Sequence, residues 1–213
     1  MTDTPFARHR PVAAIFRAPT AERFLAAADV LVDSGIQVLE FTLTSTGALD
    51  ALAAAKKRYP ADVLVGAGTV RSADHVRAAA DAGADFLVSQ VFNGTLVEIA
   101  GERRIPFVPG ALTPNEIVAA WNSGAPMVKV SPVGPVGGVD YFSELVGPLP
   151  DIPLFPTGGV ANADVSEYLK LGAAVVGLSR DLFRGVLTSE HGLTELGARA
   201  QQIVQDISVG AAA

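Results

Sequence analysis

Two ionisable side chains stand where an apolar run would otherwise be unbroken. In Val38-Leu39-Glu40-Phe41-Thr42 a carboxylate interrupts the run, and in Met127-Val128-Lys129-Val130-Ser131-Pro132 an amine does. If both runs are strands, side chains alternate, so Lys129 faces away from Val128 and Val130. Burial lowers a lysine's pKa and raises the fraction of neutral amine, the form that attacks a carbonyl. A carboxylate facing that amine would move protons for the same chemistry. The pair also reads as a structural ion pair, which stabilises little compared with apolar residues in the same place. Three glycine-containing turns follow other apolar runs: Gly66-Ala67-Gly68-Thr69, Pro156-Thr157-Gly158-Gly159 and Gly177-Leu178-Ser179-Arg180. Backbone N–H groups of such turns cradle anions, although each glycine alone is also explained by a tight turn.

The elements that must position these residues alternate between strand and helix. Strand-like runs occur at Val12–Phe16, Gln37–Phe41, Val63–Val65, Phe86–Val88, Pro106–Val108, Met127–Val130, Pro153–Phe155 and Ala174–Gly177. Helical periodicity marks Thr20–Ser34, Ser72–Ala82, Thr113–Ser123, Asn162–Leu171 and a last segment from Leu193 to Ile207. Thr20-Ala-Glu and Thr113-Pro-Asn-Glu116 read as helix N-termini. Gly35, Gly83, Gly124 and Gly172 fall just past helices, where a left-handed cap is wanted.

Eight strands at spacings of roughly 20 to 25 residues predict a (β/α)₈ barrel formed by one domain over residues 1–213. A doubly wound sheet is the competitor, disfavoured by the count of eight and the lack of a dinucleotide fingerprint. In a barrel the second and sixth strands lie opposite each other, so Glu40 and Lys129 converge. Active sites form at the C-terminal ends of barrel strands, and anions bind after strands seven and eight.

Composition narrows the partners. The chain is 49% hydrophobic and 18% charged, which excludes disorder and suits a parallel sheet buried on both faces. A net charge of −6 argues against nucleic acid. No apolar run is long enough to span a membrane. The start, from Met1 to Arg10, lacks the apolar stretch of a secretory signal, so the cytoplasm is expected. Without cysteine there is no thiolate chemistry, disulfide or Cys-ligated metal. His9, His75 and His191 show no ligand spacing, so no metal and no cofactor are expected, with carboxylate-held Mg²⁺ left open.

The segments around Glu40, Gly66–Val70, Lys129–Pro132 and Pro156–Val160 occur in an order and spacing that is specific. Over roughly residues 11 to 186 the sequence resembles the 2-keto-3-deoxy-6-phosphogluconate (KDPG) / 4-hydroxy-2-oxoglutarate (KHG) aldolase family. That resemblance implies a metal-free class I aldolase, assembled as a homotrimer, that releases pyruvate from a 2-keto-3-deoxy acid. It implies Lys129 as the Schiff-base lysine, Glu40 as the general acid/base and Thr69 at the pyruvate carboxylate. Thr157, Gly158 and Gly159 would belong to the phosphate-side pocket.

The sequence departs from the family pattern at three places. Many gluconate-type members carry an Arg four residues after the glutamate, where Thr44 stands here. Ser89-Gln90 replaces a Ser/Thr-Pro, and Arg180 rather than Ser179 aligns with a phosphate-binding serine. The galactonate branch also lacks the Arg and ends its first strand much as Ile15-Phe16-Arg17 does. Arg17 is therefore expected either to hold the substrate carboxylate or to form a rim salt bridge. Arg180 is expected to grip a phosphate or a distal carboxylate, or to be solvated. Trp121 and His75 are expected to pack and to face solvent respectively, and Asp181 to cap a helix. Two other functions compete: a phosphate-binding barrel isomerase or synthase, and a sugar-acid binding protein without catalysis.

Overall fold

The computed structural model describes Phe6 and residues 11–210. Residues 1–5 and 7–10, which carry most of the chain start behind the cytoplasmic expectation and include His9, and residues 211–213 lie outside the described residues. Nine strands run β1 (Val12–Phe16), β2 (Val38–Thr42), β3 (Leu64–Gly68), β4 (Leu87–Val88) and β5 (Phe107–Val108), then β6 (Gly110–Ala111), β7 (Val128–Val130), β8 (Leu154–Pro156) and β9 (Val176–Leu178) among the described residues. All pairings are parallel, in the orders β5-β4-β3-β2-β1-β9 and β6-β7-β8. A parallel bridge from Thr157 to Gly177 joins β8 to β9. The ring therefore closes as a (β/α)₈ barrel of eight staves, the fifth being split into β5 and β6 at Pro109. Proline has no N–H for the ladder, but its carbonyl still accepts from Lys129 N at 2.9 Å.

Helices α1 (Phe24–Asp33), α2 (Ala48–Arg58), α3 (Ala73–Asp81), α4 (Gly94–Glu102), α5 (Pro114–Trp121), α6 (Val139–Val146) and α7 (Val165–Lys170) cover the outside. The short α8 (Arg180–Phe183) follows β9, and α9 (Leu193–Gly210) lies against α1. Glu116 accepts from Thr113 N at 2.8 Å, closing the expected start of α5. Gly35, Gly83, Gly124 and Gly172 all take positive φ past helix ends. Thr20 does not start a helix: it bridges to Thr46 in the loop between β2 and α2, and α1 begins at Phe24.

Strand alternation separates two apolar groups. Val12, Ala14, Phe16, Leu39, Phe41, Val65, Val128 and Val130 face the helices. Ala13, Ile15, Val38, Phe86, Val88, Val108, Met127, Phe155 and Val175 fill the barrel. Phe6 joins this inner group and meets Phe86 edge-on at 4.9 Å, at the N-terminal end of the staves. The third stave corrects the expected turn at 66–69, because Gly66 and Gly68 lie within β3. They face inward, where a Cβ on Gly66 would overlap the Phe86 ring and one on Gly68 would overlap the Glu40 carboxylate. The glycines make room for side chains from other staves. No helix among the described residues is long and apolar enough to cross a membrane.

Candidate active site

Glu40 on β2 and Lys129 on β7 meet across the barrel. Lys129 Nζ lies 3.7 Å from Glu40 Oε1, with Glu40 fully buried and Lys129 3% exposed. Neither Glu40 oxygen makes a hydrogen bond among the described residues. A buried, hydrogen-bond-poor carboxylate is costly, and such costs are retained mainly where function needs them. Burial pushes the Lys129 amine below the ordinary lysine value; the Glu40 charge opposes that shift and the Arg17 charge adds to it. An amine held in this state is a nucleophile for a carbonyl, with a proton acceptor beside it.

Above this pair a cavity of about 770 Å³ opens at the C-terminal ends of the staves. Its wall includes Arg17, Thr157, Gly158, Gly159, Ser179 and Arg180. Seven of the nine residues singled out by sequence, Lys129 among them, thus line it. Glu40 lies behind Lys129, and Thr69 is joined to the wall through Arg17. The Arg17 guanidinium donates to Thr44 Oγ1 and Thr69 Oγ1, each at 3.0 Å, and pairs with no carboxylate among the described residues. The rim salt bridge is therefore replaced by a hydroxyl-anchored cation. Thr69 itself is left-handed at φ 59°, a strained conformation for a β-branched residue. Such strain is often held at ligand sites.

On the other side, two loops are tied together. Asp181 accepts from Asn162 N at 2.7 Å and from Arg184, while Asn162 Nδ2 donates to the Asp181 carbonyl at 3.0 Å. Asp181 was expected to cap a helix; instead it joins the loop after β8 to α8. The Asn162 N–H, then Arg184, hold its carboxyl below the ordinary aspartate range against the effect of burial. Phe183 on α8 packs against Phe16 at 4.7 Å, fixing this wall to the core. Trp121 packs against the outer core as expected, and His75 Nδ1 accepts from Arg71 N at 3.4 Å.

Sequence reasoning assigned nothing to Ser131 or to this Asn162–Asp181 tie. Ser131 stands two residues beyond Lys129, so alternation alone turns it inward. The tie had no local signal, since its residues are far apart in sequence. Among the described residues no cluster of three or more His, Asp or Glu side chains is gathered as a metal site.

A family model for KDPG and KHG aldolase matches residues 5–191. The KHG/KDPG aldolase of Escherichia coli K12 is 34% identical over 161 residues, covering 76% of this chain and 75% of that protein. A solved structure described as native KDPGal superposes with a TM-score of 0.86 at 26% identity, covering 96% and 97% of the two chains. The KDPG aldolase of Legionella pneumophila, with pyruvate captured as a covalent carbinolamine, gives 0.80 at 27% identity over 93% and 96%. Matched by the family model along most of its length and by the E. coli enzyme at 34% identity, the chain belongs to the KDPG and KHG aldolase family.

Proposed function

We propose that this class I aldolase works through Lys129 as the imine-forming amine and Glu40 as its proton acceptor. Its substrate is a 2-keto-3-deoxy acid, a 6-phospho sugar acid or 4-hydroxy-2-oxoglutarate. The buried 3.7 Å pair, with Lys129 lining the cavity and Glu40 behind it, carries the assignment. Lys129 Nζ adds to the C2 ketone and water leaves, giving an iminium. Glu40 takes the C4 hydroxyl proton, directly or through a water. The C3–C4 bonding pair then moves into the iminium, so an aldehyde departs and an enamine remains. Protonation at C3 and hydrolysis return pyruvate and the free amine.

Arg17 and Thr69 hold the carboxylate in this reading, a fork-shaped donor beside a hydroxyl. Thr157, Gly158, Gly159, Ser179 and Arg180 take the distal phosphate or carboxylate, Gly158 and Gly159 offering backbone N–H groups at positive φ. Homotrimer assembly is part of the same reading. Val91, 58% exposed, beside Phe92 and with Val136 gives apolar surface near the mouth for subunit contact.

Incubation with pyruvate and borohydride followed by peptide mass analysis tests the mechanism. One reduced adduct on Lys129 is expected. A folded protein that gives no adduct under excess pyruvate ends the Lys129 assignment.

A further inference from the structure

One polar pair on the cavity wall has no part in this mechanism. Gln90 stands at the end of the fourth stave and Ser131 just beyond Lys129 on the sixth, and both line the cavity. The Gln90 carboxamide donates to the Ser131 carbonyl at 3.2 Å and to its hydroxyl at 3.1 Å. The hydroxyl lies 3.3 Å from Gln90 Oε1.

Two glycines hold the pair in place. A Cβ on Gly110 would overlap the Gln90 carbonyl, and one on Gly158 would lie 3.0 Å from Ser131 Oγ and 2.9 Å from Pro132 Cα. Ser131 is 7% exposed, whereas Gln90 opens onto the cavity. A carboxamide has two donors and two acceptor lone pairs, and a hydroxyl has one donor and two. Their mutual bonds leave an Oε1 lone pair and part of the serine hydroxyl's capacity for a third partner.

The rest of a bound keto acid is already served in the proposed mechanism, on which this inference rests. Its carboxylate faces Arg17 and Thr69, its C4 oxygen faces Glu40, and its distal end faces the loops after β8 and β9. Carbon 3, bonded to the imine carbon, is the position without an assigned contact. Bare hydrogens on C3 would leave the Gln90–Ser131 pair partnered only by itself or by water. A hydroxyl there would complete it.

We propose that Gln90 and Ser131 form a hydrogen-bonding subsite for a C3 hydroxyl, and that the enzyme uses hydroxypyruvate as a donor alongside pyruvate. Lys129 Nζ adds to C2 of hydroxypyruvate and water leaves. A C3 proton passes to Glu40, giving a hydroxyl-bearing enamine. Its C3 bonds to an aldehyde carbon, and the aldehyde oxygen takes the proton back from Glu40. Water then hydrolyses the iminium, freeing Lys129 and a 2-keto-3,4-dihydroxy acid equal in composition to the two reactants.

The measurement is the ratio of kcat/KM for hydroxypyruvate to that for pyruvate, with glyoxylate as the common acceptor. It is made on the wild-type protein and on Gln90→Leu and Ser131→Ala, with borohydride trapping of each donor on Lys129. The wild type is expected to turn over both donors and to give both adducts. Each variant is expected to lower the ratio by about tenfold to a hundredfold, the discrimination lost with a hydrogen bond to a substrate hydroxyl. A structural role alone would lower both activities together and leave the ratio fixed. An unchanged ratio in both variants, or a wild type active on pyruvate and inert to hydroxypyruvate, overturns the proposal. Absence of any pyruvate adduct is a different failure: it removes the Lys129 mechanism itself, and the C3 subsite with it.

Discussion

The Lys129–Glu40 pair sets opposing demands on stability and chemistry. Removing one member leaves the other charge buried without a partner, which costs about 3–5 kcal/mol in comparable pairs. Replacing both with apolar residues of similar length is neutral or stabilising by about 1–4 kcal/mol. Urea unfolding is therefore expected to rank the double variant Glu40→Met/Lys129→Met at or above the wild type. The single variant Lys129→Met should fall below it, and both variants should be inactive. A double variant less stable than the single would contradict this ion-pair account.

The titration of Lys129 gives a second test at the same scale. Its amine loses its proton below the ordinary lysine value, so the rate of pyruvate trapping should rise with pH and level off below that value. The Glu40 charge favours the ammonium, so Glu40→Gln moves the rise to lower pH. The Arg17 charge disfavours it, so Arg17→Met moves the rise to higher pH. Opposite shifts are the expected result, and shifts of the same sign would refute the electrostatics.

Single elements carry their own consequences. The third stave lets Glu40 lie in the barrel because Gly68 has no side chain. Gly68→Ala should displace the carboxylate, reduce turnover at least tenfold and cost about 1–3 kcal/mol by overpacking. Wild-type turnover in that variant would show that Glu40 need not lie where it does. The Asn162–Asp181 tie acts between the loop after β8 and α8. Because the Asp181 carboxyl is held below its ordinary range, the tie contributes fully above the unfolded aspartate pKa of about 3.9. Its contribution is lost as pH falls through the lowered folded value. The stability gap between wild type and Asp181→Ala should thus be flat near neutral pH and close in acid. At neutral pH the variant should raise KM for a phosphorylated substrate more than it lowers pyruvate trapping.

At the scale of the whole molecule, the barrel was legible because its local signals agree. Apolar runs, left-handed glycines past helices and the Thr113–Glu116 capping pattern all point to the same elements. Glu40 and Lys129 were legible as charges interrupting strands, and the ring geometry then brought them together. What was not legible depended on distant parts of the chain. Gly66 and Gly68 look like a turn until Phe86 and Glu40 are known to fill the space beside them. Asp181 looks like a cap until Asn162 arrives from another loop. Gln90 looked like a departure from a family pattern, and only its contact with Ser131 turns it into part of a wall.

The edge-on packing of Phe6 against Phe86 at the N-terminal end of the staves has a kinetic consequence. With that end filled by apolar side chains, traffic passes through the mouth at the opposite end. In the proposed mechanism the fragment bonded to Lys129 would lie at the bottom of this chamber, with the aldehyde between it and the exit. That mechanism predicts an ordered departure, aldehyde first and pyruvate last. In steady-state cleavage assays pyruvate should compete directly with the substrate, whereas the aldehyde should inhibit noncompetitively. The reverse pattern would mean that the chamber has a second door.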